Sequence, residues 1–491
     1  MSDHGFEAVI GLEIHAQLST ESKIFCSCPA KPPAGRSVSE VKVNANTCPV
    51  CAGHPGSLPV LNHKAVEYAL KAGLATNCKI NLRNWFSRKN YFYPDLPKGY
   101  QISQYDKPVC ENGWLNIETK AGPKKIRLKR IHLEEDAGKN VHMAGFSMIN
   151  LNRASVPLIE IVSEPDMGSA EEAGSYMRAL HAVVTYLDIC DGNMQEGNFR
   201  CDANVSVKIK SAKELGTRTE IKNLNSFRFV EKAIDYEMSR QIEVIKAGGR
   251  IVQETRTYDA SKNITLPMRS KEEAEDYRYF AEPDLLPLVI DPARVDELRL
   301  TLPELPEQKR ARFVLEFSLP WYDAAVLSSS RALAEFFEKS AGILSSRGLD
   351  GKAAGKSTAN LLIGEVTRLL NEENIVIGES KLVPEHIADV VQLLEEKAVS
   401  STGAKAAISA AWKSGHAIGT IVERDGLRQV SDSAVLEPFV EKVIAAFPDQ
   451  VAEYKAGKVK VLSFFIGQIM KQTGGKANPA LIQELIKKKL S

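Results

Sequence analysis

A chain of 491 residues is too long for one core, and at roughly 150 residues per domain it calls for about three. With 44% hydrophobic and 25% charged residues and no apolar run near the roughly 20 residues of a membrane span, its makeup is globular and argues against a membrane role. A net charge of +1 excludes a basic surface along the whole chain, so any nucleic-acid contact must be regional.

The amino-terminal Met-Ser-Asp-His carries no basic stretch followed by an apolar one, so no secretion signal is expected and the cytoplasm is the expected location. Val9 to Leu18 alternates as a strand does, which puts Glu13, His15 and Gln17 on one face and Leu12, Ile14 and Leu18 on the other. Next come Cys26-x-Cys28 and Cys48-x-x-Cys51, two close thiol pairs joined by a loop, flanked by Pro29, Pro49 and Gly53. Such spacing can close a tetrahedral Zn²⁺ site, and four thiolates leave no open position, so the site is expected to be structural. Cys78, Cys110, Cys190 and Cys201 lack paired spacing and are expected in the core. From Ser87 to Asp95, Arg88 and Lys89 are interleaved with Tyr91, Phe92 and Tyr93, which suits phosphate contact with base stacking and equally a buried aromatic turn with a basic edge.

A strand from Ile126 to Leu133 runs into Glu134-Glu135-Asp136, and because neighbours on a strand point oppositely, register decides which glutamate is presented. Ser169 opens a helix with a capping box, continued by Met177, Leu180, Val184 and Leu187. Asp202, Asn204 and Ser206 share one strand face; so do Arg218, Glu220 and Lys222, and Glu254, Arg256 and Tyr258. Between the last two, a helix covers about Ser226 to Ala247 and stops at Gly248-Gly249. Residues 1–292 therefore read as an α+β domain on an antiparallel sheet with two longer helices.

After Pro292 the strand signals fade, and Ala332 to Ser345, Asn360 to Leu370 and Pro384 to Lys397 have helical periodicity. Gly351 to Ser357 resembles a phosphate-binding Walker A loop, but three residues separate its glycines instead of four, and a loop between helices is expected. Residues 293–405 form an all-α domain on this reading, and 406–491 a small tail domain with twelve Lys and Arg against eight Asp and Glu. Tail lysines such as Lys455, Lys458, Lys460, Lys471 and Lys487 to Lys489 could meet an RNA backbone or form an ordinary solvated face.

If the polar strands are neighbours, one sheet face is crowded with acids interleaved with Arg and Lys. Like charges so close repel, and Mg²⁺ bound by a few carboxylates and substrate phosphates relieves the cost. Phosphoryl transfer asks little more of a protein than such a metal cluster, cations on the phosphates and a positioned nucleophile.

The stretches IGLEIHAQL, SRKNYFYPDLPKGYQISQ, IHLEEDAGK, NRASVPLIEIVSEPD, QEGNFRCDANVS, TEIKNLNSFRFVEKAIDYE, QETRTYD and DYRYFAEPDLLPL resemble those of the B-subunit (GatB/GatE) family of aspartyl/glutamyl-tRNA amidotransferases. The resemblance is dense over about residues 7 to 290 and weaker beyond. It implies a catalytic domain on a glutamine synthetase-like sheet, an all-α domain and a YqeY-like tail that contacts tRNA. It implies that ATP and Mg²⁺ activate the side-chain carboxylate of Glu-tRNA(Gln) or Asp-tRNA(Asn) for amidation. Glu13, His15, Glu134, Glu135, Glu220 and Glu254 are carried over as the metal and ATP cluster, with His15, Glu134 and Glu254 as leading Mg²⁺ ligands. Arg88, Lys89, Arg218 and Arg256 are the cations assigned to the nucleotide, and Cys26, Cys28, Cys48 and Cys51 are expected to hold Zn²⁺ without a part in catalysis. The chain shows no glutaminase constellation. The family pairs its B subunit with an amidase-type A subunit that makes ammonia and with a small C subunit, giving a heterotrimer that acts on tRNA(Gln) and/or tRNA(Asn). Two alternatives stay open: a non-catalytic tRNA-binding scaffold in the same complex, and a free-standing ATP-dependent amide ligase for a small carboxylic acid.

Overall fold

The computed structural model describes residues 5–32, 40–268, 277–373, 375–430, 433–458, 460–474 and 477–490. The amino-terminal Met-Ser-Asp-His and Asp276, which begins the DYRYFAEPDLLPL stretch, lie outside them. The chain divides into two units, Met1–Leu305 and Pro306–Ser491.

The strands of the first unit are β1 (Phe6–Gln17), β2 (Lys79–Ile80), β3 (Arg83–Asn84), β4 (Ser87–Asn90), β5 (Tyr100–Ser103), β6 (Cys110–Thr119), β7 (Gly122–Glu135), β8 (Lys139–Met143), β9 (Phe146–Asn150) and β10 (Pro157–Ser163). They continue as β11 (Phe199–Ile209), β12 (Thr219–Leu224), β13 (Thr255–Asp259), β14 (Ile264–Pro267), β15 (Phe280–Ala281) and β16 (Leu288–Val289). Nine of them form one sheet in the order β14-β13-β12-β11-β1-β10-β7-β6-β2. It is antiparallel except at β12 and β13, which run parallel, so the expected antiparallel sheet becomes a mixed one at that edge. A smaller sheet, β15-β4-β5, carries the Arg88-Lys89 segment.

Alternation decides the two faces of the large sheet. Ile10, Leu12, Ile14 and Ala16 of β1 are buried in the core with Leu128, Ile131 and Leu133 of β7 and Ala203 and Val205 of β11. That core includes residues of α1 (His63–Ala75), α2 (Ala170–Tyr186) and α3 (Phe227–Lys246). Ser169 caps α2 by accepting from the Glu172 amide at 3.2 Å, and Glu172 reaches back to the Gly168 amide at 2.7 Å. Ser226 caps α3, which ends at Ala247 ahead of a left-handed Gly248. The sequence reading named two long helices here and passed over α1, whose buried stripe is mostly small: Ala65, Ala69, Ala72 and Ala75 with Val66 and Leu70.

The division falls after Leu305 and not near 293, because α4 (Pro292–Leu300) belongs to the first unit. Val295 and Leu298 enter the first core, and Arg294 pairs with Glu67 of α1 at 3.2 Å.

The described elements of the second unit are helices. A core is built from α5 (Pro306–Phe317), α6 (Trp321–Leu327), α7 (Arg331–Ser346), α8 (Gly351–Leu361), α9 (Thr367–Glu373), α10 (Pro384–Glu395), α11 (Ser401–Ser414) and α12 (Ile418–Arg424). Another joins α13 (Ser433–Ala446), α15 (Val461–Gln472) and α16 (Pro479–Leu490), with α14 (Pro448–Lys455) packed at its edge. The expected 405/406 boundary therefore falls inside α11, whose Ala407, Ile408 and Ala411 fill the earlier core. The Walker-like stretch is helix, not the expected loop: Asp350 caps α8, and a Cβ added at Gly355 would stand 2.5 Å from the Phe317 ring. Close helix packing accounts for that glycine. Among the described residues no helix is long and apolar enough to cross a membrane.

Candidate active site and metal centre

The open face of the large sheet is polar because the registers align its charged residues. His15 of β1 lies opposite Glu160 of β10, and Glu160 lies opposite His132 of β7. On the other flank Glu13 faces Asp202 of β11, and Asn204 faces Glu220 of β12. Strict alternation from Ile126 would turn Glu134 into the core. The pairing of β7 with β10 shifts between Val162 and Ser163, however, and the buried phase of β7 passes from Ile126 and Leu128 to Ile131 and Leu133. This β-bulge leaves Lys129 and Arg130 both lining the open face and turns His132 and Glu134 toward it. Glu135 points the other way, accepting from Lys98 Nζ at 2.8 Å, the Ile102 amide at 2.9 Å and Ser155 Oγ at 2.6 Å.

The result is a cleft of about 1050 Å³ whose lining includes Glu13, His15, Lys89, Arg130, His132, Glu134, Glu160, Asp202, Asn204, Arg218, Glu220 and Lys222. At its centre one ligand atom each of His15, Glu134 and Glu160 lies within 4.8 Å of the others. His15 Nε2 is 3.3 Å from Glu160 Oε2 and 3.6 Å from Glu134 Oε1. Burial disfavours the imidazolium, yet the hydrogen bond to Glu160 and the charges of Glu160 and Glu134 outweigh it and push the His15 pKa up to about 9. Glu13 is shifted up, first by burial and then by repulsion from Glu160, Glu220 and Asp202. Two carboxylates, Glu134 buried and Glu160 nearly so, beside His15, which must release its proton to act as a ligand, form a donor set that fits a divalent cation.

Cations surround this group. Lys222 Nζ bridges Asp202 at 3.3 Å and Glu220 at 3.2 Å. Burial works against the charge of Lys89, but the negative charges of Glu134 and Glu160 and the adjacent Tyr279 raise its pKa on balance. Its ammonium lies over the Tyr277 ring at 4.8 Å, and Tyr279 stacks on Tyr105 at 4.1 Å.

Of the residues singled out from sequence, Glu13, His15, Glu134, Glu220, Lys89 and Arg218 meet in the cleft. Glu135, Glu254, Arg88 and Arg256 do not line it. Arg88 is one position out of phase with Lys89 on β4, stacks on Tyr100 and pairs with Glu282 at 2.8 Å and Asp284 at 3.0 Å. Arg256 is buried on the helix side of β13, donating to Thr265 Oγ1 at 2.9 Å and pairing with Glu237 of α3 at 3.5 Å. Glu254, expected among the leading Mg²⁺ ligands, is ion-paired with Arg256 and lies 3.9 Å from Arg240, apart from the His15, Glu134 and Glu160 group. Thr255 takes the open-face position, its hydroxyl on Glu220 at 2.8 Å. Sequence reasoning missed Glu160 and His132. The signal for Glu160 was a lone carboxylate in the apolar strand Pro157–Ser163, and that for His132 was its position two residues before Glu134 on the same face of β7.

The sulfurs of Cys26, Cys28, Cys48 and Cys51 also gather within 4.8 Å of one another. Cys48 and Cys51 Sγ are 3.9 Å apart, close to the roughly 3.8 Å edge of a tetrahedron built on Zn–S bonds of about 2.3 Å. The hydrogen bond from Cys26 dominates over burial in drawing the Cys51 thiol down to about 4, with Lys23 helping. Lys23 is fully buried and donates to the carbonyls of Asn46 at 2.7 Å and Leu151 at 3.2 Å. The other four cysteines are buried, as expected.

Residues 8–296 match the family model described as the GatB/GatE catalytic domain, and residues 347–490 match one described as the GatB domain. The chain is 53% identical over 490 residues to the B subunit of the aspartyl/glutamyl-tRNA(Asn/Gln) amidotransferase of Geotalea daltonii. It is 51% identical to that of Syntrophotalea carbinolica and 52% identical to that of Halorhodospira halophila, in each case over 99% of both chains. The chain belongs to the B-subunit family of the aspartyl/glutamyl-tRNA(Asn/Gln) amidotransferases.

Proposed function

We propose that the cleft of the first unit binds ATP with Mg²⁺ and activates the side-chain carboxylate of Glu-tRNA(Gln) or Asp-tRNA(Asn). A carboxylate oxygen attacks the γ-phosphorus and ADP leaves. Ammonia then attacks the acyl carbon and phosphate leaves, giving Gln-tRNA(Gln) or Asn-tRNA(Asn). The observation that carries the reading is the convergence of His15, Glu134 and Glu160 within 4.8 Å in a cleft that also presents Lys89, Arg218 and Lys222. These three would hold Mg²⁺, which when bound supplies positive charge to the phosphate oxygens. Lys89, Arg218 and Lys222 neutralise phosphate charge and fix the line of transfer, as positioning is most of what this chemistry needs. Glu13 and Glu220 stand beside them as further acceptors. The large sheet with one polar open face supports kinship with the glutamine synthetase type.

The four cysteines fit a closed Zn²⁺ site with no position for substrate, so its role in this reading is to hold the Cys26-Cys28 and Cys48-Cys51 pairs together. Ammonia comes from an amidase-type A subunit, with a small C subunit completing a cytoplasmic heterotrimer. The relatives are named as the B subunit of their enzyme, which supports an assembly of several different chains. Exposed Lys455, Lys460 and Lys471 of the tail supply RNA backbone contacts. The test is Mg²⁺-dependent ATP binding by the full chain. Glu160→Gln and His15→Ala should each abolish it while leaving the melting curve intact, and unchanged binding in both would sink the assignment.

A further inference from the structure

We propose that His132 is a positioning residue that holds the carboxylates of Glu134 and Glu160 in the arrangement in which they and His15 receive a divalent cation. The inference rests on the reading of the cleft given above. His132 sits in the row His15, Glu160, His132 across three adjacent strands, with Glu134 two residues farther along β7. Its Nε2 is 3.5 Å from Glu134 Oε2 and 3.5 Å from Glu160 Oε2. His15 reaches the other oxygen of Glu134, Oε1. The two imidazoles thus grip the same pair of carboxylates from opposite sides, and one carboxylate oxygen of Glu134 is assigned to each.

Their surroundings separate the two roles. The His15 side chain is 20% exposed in the cleft, whereas that of His132 is 3% exposed and packed between strands. His132 Nδ1 is buried and has no hydrogen-bond partner among the described residues, and the two carboxylates are the polar groups that face Nε2. Burying a polar nitrogen without a partner costs stability. The core-facing neighbours Ile131 and Leu133 show what packing alone selects on this strand. The bulge at Lys129 and Arg130 aims the ring so that Nε2 lies 3.5 Å from an oxygen of each carboxylate. Donors behind metal-ligating groups fix ligand orientation, and losing one weakens metal affinity by roughly 10- to 100-fold.

The experiment compares His132→Asn and His132→Gln with the unaltered full chain, using Mn²⁺ as the probe and the free-ion EPR signal as the readout. Glutamine can place an amide N–H near the position of Nε2; asparagine is one carbon too short. His132→Asn should weaken Mn²⁺ binding by roughly 10- to 100-fold, and His132→Gln should restore it to within a few-fold. Equal affinity in all three, or equal loss in both variants, overturns the proposal, since a packing role would not separate two amides that differ in reach. Glu160→Gln run alongside keeps the underlying reading separate. If it retains Mn²⁺ affinity the cleft is not the metal site at all, whereas its loss with His132→Asn unaffected refutes His132 alone.

Discussion

Replacing Glu237 by Gln tests on which side of the sheet Arg256 acts. Glu237 lies on α3 fully buried, accepting from Arg240 at 2.6 and 3.0 Å, from Gln241 at 2.9 Å and from Thr265 at 2.8 Å, with Arg256 Nε at 3.5 Å. Glutamine keeps the shape and removes the charge that faces two guanidinium groups. Removing one partner of a buried pair costs about 3–5 kcal/mol. Arg240 is partly exposed and Arg256 keeps Glu254, so the lower end, about 3 kcal/mol, applies here. At about 2 °C per kcal/mol for a unit of this size, the first unit should melt about 6 °C lower. Burial alone would raise the Glu237 pKa, but the hydrogen bonds from Arg240, Gln241 and Thr265 outweigh it and hold it below the ordinary carboxylate range. A depressed folded pKa contributes stability that is complete above the unfolded value and lost as pH falls through the folded one. The gap between the two proteins should therefore be full at neutral pH and close on acidification below about pH 4. Thermal unfolding followed by circular dichroism across that range is the assay. A gap under about 1 °C at pH 7, or one that widens in acid, would refute the buried network.

Other outcomes follow from the same geometry. Glu254→Gln should leave the KM for ATP within a few-fold in steady-state assays, since Glu254 sits against Arg256 and Arg240 and does not line the cleft. A loss of 100-fold would return it to the ligand set. Cys48→Ser should lower zinc content by metal analysis and reduce thermal stability more than turnover per folded molecule, as expected of a closed thiolate site. Lys222→Met should raise the KM for ATP by about tenfold or more, because it removes the cation between Asp202 and Glu220 and leaves that flank acidic. An unchanged KM would place the phosphates elsewhere in the cleft.

The periodic elements were the readable ones. β1 shows its two faces by alternation alone, α2 and α3 begin at the serines that capping chemistry selects, and α3 ends at the expected Gly248-Gly249 turn. The cysteine spacing led directly to a cluster, because close thiol pairs constrain a loop whatever the rest of the fold does. α1 escaped because alanines carry little periodic contrast. Glu134 could not be told from Glu135, since the deciding event is a one-residue bulge in β7 that depends on its pairing with β10. Arg256 and Glu254 were put on the open face because β13 alternates as β12 does; which face each phase meets depends on a parallel pairing and on Glu237 of a distant helix. Gly351 to Ser357, expected as a loop between helices, is helix instead, and Gly355 serves close packing against Phe317.

The central claim is that this chain carries out the ATP-dependent activation. Its most direct test is amide formation on mischarged Glu-tRNA(Gln) with supplied ammonia, by the complex assembled with either unaltered chain or Glu160→Gln. Removing a ligand of a metal worth several kcal/mol to the transition state should cut the rate by at least about 100-fold with tRNA affinity preserved. ATP-dependent amidation that continues undiminished with Glu160→Gln in place would mean the chemistry resides on a partner and that this cleft is structural.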